Sequence, residues 1–123
     1  MMKNIVKLLL AIVLVITSGC TKSIDENDFI FRPTFLLTQE SMNLRIKLQN
    51  QSKQELNDVI VKFYLVNLKS EEKILVKQYD DVDFKSTELK YYEFDITSIK
   101  YEYKIENEQI LNDEYDIDFE IIV

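Results

Sequence analysis

The chain has 123 residues, 46% of them hydrophobic, with one glycine, one proline, one cysteine and no histidine; that length suits a single domain. Acids outnumber bases 22 to 15, a formal charge of −7, which repels phosphate backbones and sets nucleic acid aside as a partner. The lack of histidine removes Ser-His-Asp and Cys-His catalysis and the commonest zinc ligand, and a lone glycine provides no phosphate cradle.

The first twenty residues read as a targeting signal. Lys3 and Lys7 make a positive start, and Leu8 to Ile16 is an unbroken apolar run, "LLLAIVLVI". That run is too short to span a hydrocarbon core, which needs about twenty residues, but it suits the apolar segment of a secretory signal. Small residues Thr17, Ser18 and Gly19 then precede Cys20. This stretch resembles the lipobox of bacterial lipoproteins, with threonine at 17 where leucine is commoner. The resemblance implies cleavage between Gly19 and Cys20, acylation of the Cys20 sulfur with palmitate-type chains, and anchoring in the cell membrane or outer membrane on the extracytoplasmic side. Two or three acyl chains anchor stably where one is marginal. The alternatives are an ordinary secretory signal with an incidental cysteine, which would leave an unpaired reactive thiol, or an uncleaved anchor.

On this reading residues 1–19 are the signal peptide, 20–28 the lipidated cysteine and a short polar tether, and 29–123 the working domain. Without Lys3 and Lys7, 13 bases face 22 acids, a formal charge of −9. Residues 20–79 are near neutral, with nine Lys/Arg and eight Asp/Glu, whereas residues 80–123 hold four lysines and fourteen acids. Such a half is pushed away from anionic headgroups, so the domain is expected to stand off the bilayer on its anchor.

Downstream, a two-residue hydrophobic period dominates. "FIFRPTFLL" (29–37) aligns Phe29, Phe31, Phe35 and Leu37, with Pro33 in the same row; proline lacks an amide donor, so this is an edge strand or one broken by a bulge. "MNLRIKLQ" (42–49) alternates cleanly. "VIVKFYLV" (59–66) is apolar on both faces, which places it centrally. "KILVKQYDDV" (73–82), "LKYYEFDI" (89–96), "IKYEYKIE" (99–106) and "YDIDFEIIV" (115–123) complete the set. "SKQELND" (52–58) and "NEQILND" (107–113) are candidates for a helical turn.

Seven short strands with turns near every tenth residue predict an all-β fold, an immunoglobulin-like antiparallel β-sandwich. No glycine follows Gly19, so Asn67, Asp80, Asp81, Asn107, Asn112 and Asp113 are expected to supply the positive-φ positions. Connections of four or five residues are favoured over two-residue hairpins. Residues 42–67, "MNLRIKLQNQSKQELNDVIVKFYLVN", resemble the FxLYD domain of bacterial lipoproteins: Asn50 and Ser52 fit its Asn-x-Ser strand end, and Phe63 and Leu65 fit its signature, while Val66 and Asn67 replace the usual Tyr and Asp. The resemblance implies an exported immunoglobulin-like sandwich and no particular activity, with the signature residues at core and turn positions.

No catalytic residues, metal site, cofactor or small-molecule substrate are expected. A carboxylate pair needs a walled cleft to shift one pKa, and a seven-strand sandwich has little chain left to build one. The clusters "DDVD" (80–83) and "NDEYDID" (112–118) could offer oxygen ligands to calcium, but the glycine of a calcium loop is missing. A solvated rim is the favoured reading, with the Lys100, Glu102 and Lys104 face pairing beside Asp116, Asp118 and Glu120. Asn50-Gln51-Ser52 matches a glycosylation sequon and is discounted in a bacterial chain. Adjacent Tyr91 and Tyr92 must face opposite ways, and exposed tyrosine favours interfaces. The expected partner surface is therefore Tyr92 with Asp116, Asp118 and Glu120. Function is expected to be non-catalytic: an adaptor that binds an envelope protein, or alternatively an immunity or exclusion lipoprotein that sequesters an incoming toxin or phage factor.

Overall fold

The computed structural model describes residues 26–123. Gly19, Cys20 and the signal peptide lie outside the described residues. Within the expected tether, Glu26–Asp28 forms one 3-10 turn. Six strands follow: β1 (Phe29–Leu37), β2 (Met42–Asn50), β3 (Leu56–Asn67), β4 (Lys73–Phe84), β5 (Leu89–Asp95) and β6 (Tyr115–Ile122). Two short helices, α1 (Thr97–Glu102) and α2 (Asn107–Leu111), separate β5 from β6. The strands form two antiparallel three-stranded sheets, ordered β1-β2-β5 and β4-β3-β6. The fold is an all-β sandwich with one strand fewer than the alternation predicts.

Alternation decides which side chains meet between the sheets. Met42, Leu44, Ile46 and Leu48 of β2 are fully buried, as are Val59, Val61, Phe63 and Leu65 of β3. Both are the central strands of their sheets, which for β3 agrees with the two apolar faces of 59–66. An aromatic seam joins the layers: the Phe31 ring lies 4.5 Å from Phe119 and 6.4 Å from Phe63, and Phe63 is 5.3 Å from Tyr92 and 5.8 Å from Phe94. β1 is an edge strand. The Gln51 amide donates to the Asp28 carbonyl and the Thr38 amide to Ser41, so the backbone groups of the odd-numbered residues between them face away from β2. Pro33 is one of these, and its missing donor costs the ladder nothing.

The strand expected at 99–106 is instead α1 and a following turn. Its two tyrosines do not join the core: Tyr101 is 59% exposed and Tyr103 is 40% exposed. Ile96, Lys100 and Ile105 are buried, and Ile99 packs against the core, so the apolar contacts follow a helical turn. Here the chain crosses from one sheet to the other, where an extended ladder would have no partner. α2 confirms the helical turn expected at 107–113. It carries a capping box, with the Glu106 amide donating to Gln109 Oε1 at 2.8 Å. The helical turn expected at 52–58 is absent: residues 52–54 bend and Leu56 begins β3.

The four connections 38–41, 51–55, 68–72 and 85–88 have the expected four or five residues. Positive φ falls on Asp58, Glu71, Asp81, Thr87, Lys104 and Asp113. Asp81 and Asp113 were expected; Asn67, Asp80, Asn107 and Asn112 do not take that role. Asn67 uses its side chain, whose Oδ1 accepts the Lys69 and Ser70 amides.

Candidate functional site

The residues expected to form a partner surface do not lie together. Asp116, Asp118 and Glu120 project from the outer face of β6, opposite Val66, Tyr64 and Lys62 of β3. Tyr92 belongs to the inner face of the other sheet, in register with Ile46. Its ring stands 4.7 Å from Tyr79. Of the adjacent pair it is Tyr91 that points to solvent, at 67% exposure. The tyrosine that accompanies the acids is Tyr64, in register with Asp118.

Around that row the contacts are specific. The Tyr64 hydroxyl donates to Glu120 Oε1 at 2.9 Å. Lys73 Nζ lies 3.2 Å from Asp118 Oδ2 and 4.6 Å from the Tyr64 ring. Partial burial and then the Glu120 carboxylate push the Tyr64 phenol above its ordinary pKa. Lys69 approaches Glu114 at 3.3 Å. The lysines ion-paired here are therefore on β4 and its preceding loop, with Lys62 of β3 in register with Glu120, and the expected pairing with Lys100 and Lys104 is not made. Half-exposed ion pairs of this kind contribute about 0–1 kcal/mol each, so they shape the surface more than they stabilise it. Leu75, 46% exposed, stands opposite Tyr64 on β4. The outer face of β4-β3-β6 thus combines lysine, tyrosine, leucine and acid.

Asp116 and Asp118 do something else as well. Oδ1 of each accepts the amide of the next residue, Ile117 and Phe119, at 2.8 Å. Among the described residues no three Asp, Glu, Cys or His side chains converge as a metal site would require. No helix among them is long and apolar enough to cross a membrane.

Tyr92 lines a shallow depression of about 520 Å³ with Asp81, Val82, Asp83, Lys90 and Tyr91, between the free edges of β4 and β5. Its hydroxyl is buried without a hydrogen-bond partner. Burial first, then Tyr79 and Glu88, push its pKa up to about 12. A raised phenol pKa means the fold favours the protonated form. That contribution is complete below pH 10 and is lost as pH rises through about 12. In an alkaline titration followed by phenolate absorbance, Tyr92→Phe is expected to remove the last transition and lessen the loss of stability above pH 10. At neutral pH it should leave stability unchanged or raised by about 1 kcal/mol, because a buried unpaired hydroxyl is removed. A loss of more than that would show that the hydroxyl is solvated in solution.

Comparison with family models, with curated proteins and with solved structures returns no match to this chain. The motif residues at 42–67 can still be placed. Asn50 is fully buried, so its amide is closed to glycosylation. Its Nδ2 donates to the Gln54 carbonyl at 2.9 Å and the Lys85 carbonyl at 3.2 Å, and its Oδ1 accepts the Ser52 amide and hydroxyl at 2.9 and 2.7 Å. Asn50 thus ties the β2–β3 connection to the β4–β5 connection. Phe63 and Leu65 lie in the core.

Proposed function

We propose that this chain is a lipid-anchored, non-catalytic protein-binding module of a bacterial cell envelope, held through Cys20 on the extracytoplasmic side. The observation that carries the binding role is the outer face of β4-β3-β6. There Tyr64, half-buried, and Leu75, exposed, sit beside the acidic row of β6. A tyrosine ring and a leucine beside acids suit a protein partner, because the apolar groups supply desolvated contact and the charges supply register and selectivity. The anchoring role rests on the apolar run and the Thr17-Ser18-Gly19-Cys20 stretch, and the sandwich with its Asn50 clamp accords with an FxLYD-like domain. Metabolic labelling with palmitate should mark the wild-type chain and not Cys20→Ser, which should leave the membrane fraction. Labelling of Cys20→Ser would refute the anchor. Crosslinked pull-down from membranes should recover a protein partner at low salt and less of it at high salt; recovery of none would refute the binding role.

A further inference from the structure

We propose that the free edge of β6 accepts an extended, lysine- or arginine-bearing segment of a protein partner, which adds as a fourth strand to the sheet β4-β3-β6. This rests on the protein-binding role above and specifies its chemistry.

The ladder shows which backbone groups are available. The Leu68 amide donates to the Glu114 carbonyl at 2.9 Å. That bond makes Asn67 and Tyr115 a non-hydrogen-bonded pair, so by alternation the N–H and C=O groups of Tyr115, Ile117, Phe119 and Ile121 point away from β3. The even-numbered residues between them spend their backbone groups on β3. Among the described residues no strand pairs with the outward side.

The Asp116 and Asp118 carboxylates meet two of those outward amides, Ile117 and Phe119. Each oxygen takes the bond that the carbonyl of an adjacent strand would otherwise accept. An incoming carbonyl can therefore replace a carboxylate at no net loss of a hydrogen bond, and the freed carboxylate then faces the partner's side chains. A docked strand projects alternate residues onto the outer face beside Asp116, Asp118 and Glu120, and the others inward beside Ile117, Phe119 and Ile121. Cations suit the first row and apolar residues the second.

The other three edges are worse acceptors. β1 has Pro33 in its outward row, β4 carries three register shifts against β3 and a positive φ at Asp81, and β5 has seven residues. β6 pairs with β3 over eight residues without a shift. A second copy docked through β6 would set the acidic row against itself, which is destabilising. Edges this regular are ordinarily blunted, and strand addition at such an edge is a known mode of peptide recognition.

The test uses the full chain in detergent and a nine-residue peptide alternating Lys and Val. Hydrogen exchange should slow at the Ile117, Phe119 and Ile121 amides on binding. The double variant Asp116→Asn, Asp118→Asn, checked for native circular dichroism, should bind about tenfold more weakly. A peptide N-methylated on its pairing amides should not bind. Equal binding by that peptide, protection at another edge, or no binding at all would overturn the proposal. The parent reading fails separately. A membrane partner that Asp116→Lys and Asp118→Lys leave bound keeps a protein-binding role and sinks the β6 edge, whereas recovery of no partner from wild type sinks both.

Discussion

Phe63→Ala is expected to cost about 3–5 kcal/mol of folding stability. Phe63 is fully buried at the middle of the central strand β3, and its ring neighbours come from both sheets: Phe31 of β1, Tyr79 of β4, Tyr92 and Phe94 of β5. No single neighbour can relax into the space without giving up another contact, so most of the cavity would persist. A domain of this size has about 5–15 kcal/mol in total. The melting temperature should fall by roughly 15–30 °C, and the urea midpoint should fall with it. A loss below about 1 kcal/mol would mean that the sheets do not share one packed core.

Asn50→Ala is expected to cost about 3 kcal/mol. The side chain is fully buried and makes four hydrogen bonds, two as donor to Gln54 and Lys85 and two as acceptor from Ser52. Removing it takes a donor from the carbonyls of two connections and leaves a gap where a fully buried side chain stood. Asn50→Asp should fail almost as badly at neutral pH, because a carboxylate has no proton to give those carbonyls. Chemical denaturation would measure both variants. If Asn50→Ala unfolds at the wild-type midpoint, the clamp between the connections is not a stabilising element.

Six of the strands were legible in the alternation itself, and the position of β3 at a sheet centre followed from its two apolar faces; β2, polar on its second face at Asn43, Arg45, Lys47 and Gln49, gave no such sign of the central place it holds. Pro33 announced an edge. The segment 99–106 defeated the same reasoning for a specific reason: a two-residue period says that apolar residues recur, not that a ladder partner exists. Where the chain crosses between sheets no partner is present, and burial of Ile96, Lys100 and Ile105 is achieved by a helical turn instead. Charge signs likewise gave the acidic row of β6, but which lysines face it depends on strand order, and sequence spacing cannot supply that. Lys73, adjacent through β3, was out of reach of any local pattern. The misplacement of Tyr92 had a simpler origin. Adjacent strand residues face opposite ways, yet nothing local says which of Tyr91 and Tyr92 is inside. Cross-strand register with Ile46 decides it. Four of the six positive-φ positions were missed because Glu71, Thr87 and Lys104 have no local preference for that region, and Asp58 fell within an expected helical turn.

Each sheet consists of a hairpin and a latecomer. β1 pairs with β2 and β3 with β4 as soon as the chain has passed one short connection, whereas Arg45 meets Glu93 across 48 positions and Tyr64 meets Glu120 across 56. The remote pairings carry the larger loop-closure entropy, so the hairpins can form early while β5 and β6 set the pace, in the millisecond-to-second range typical of such topologies. Between those events Met42, Leu44, Val61 and Phe63 are present in half-built sheets with one flank uncovered. The newly made chain is at its most adhesive in that interval, and its passage to the native state depends on how quickly the residues from Leu89 onward arrive.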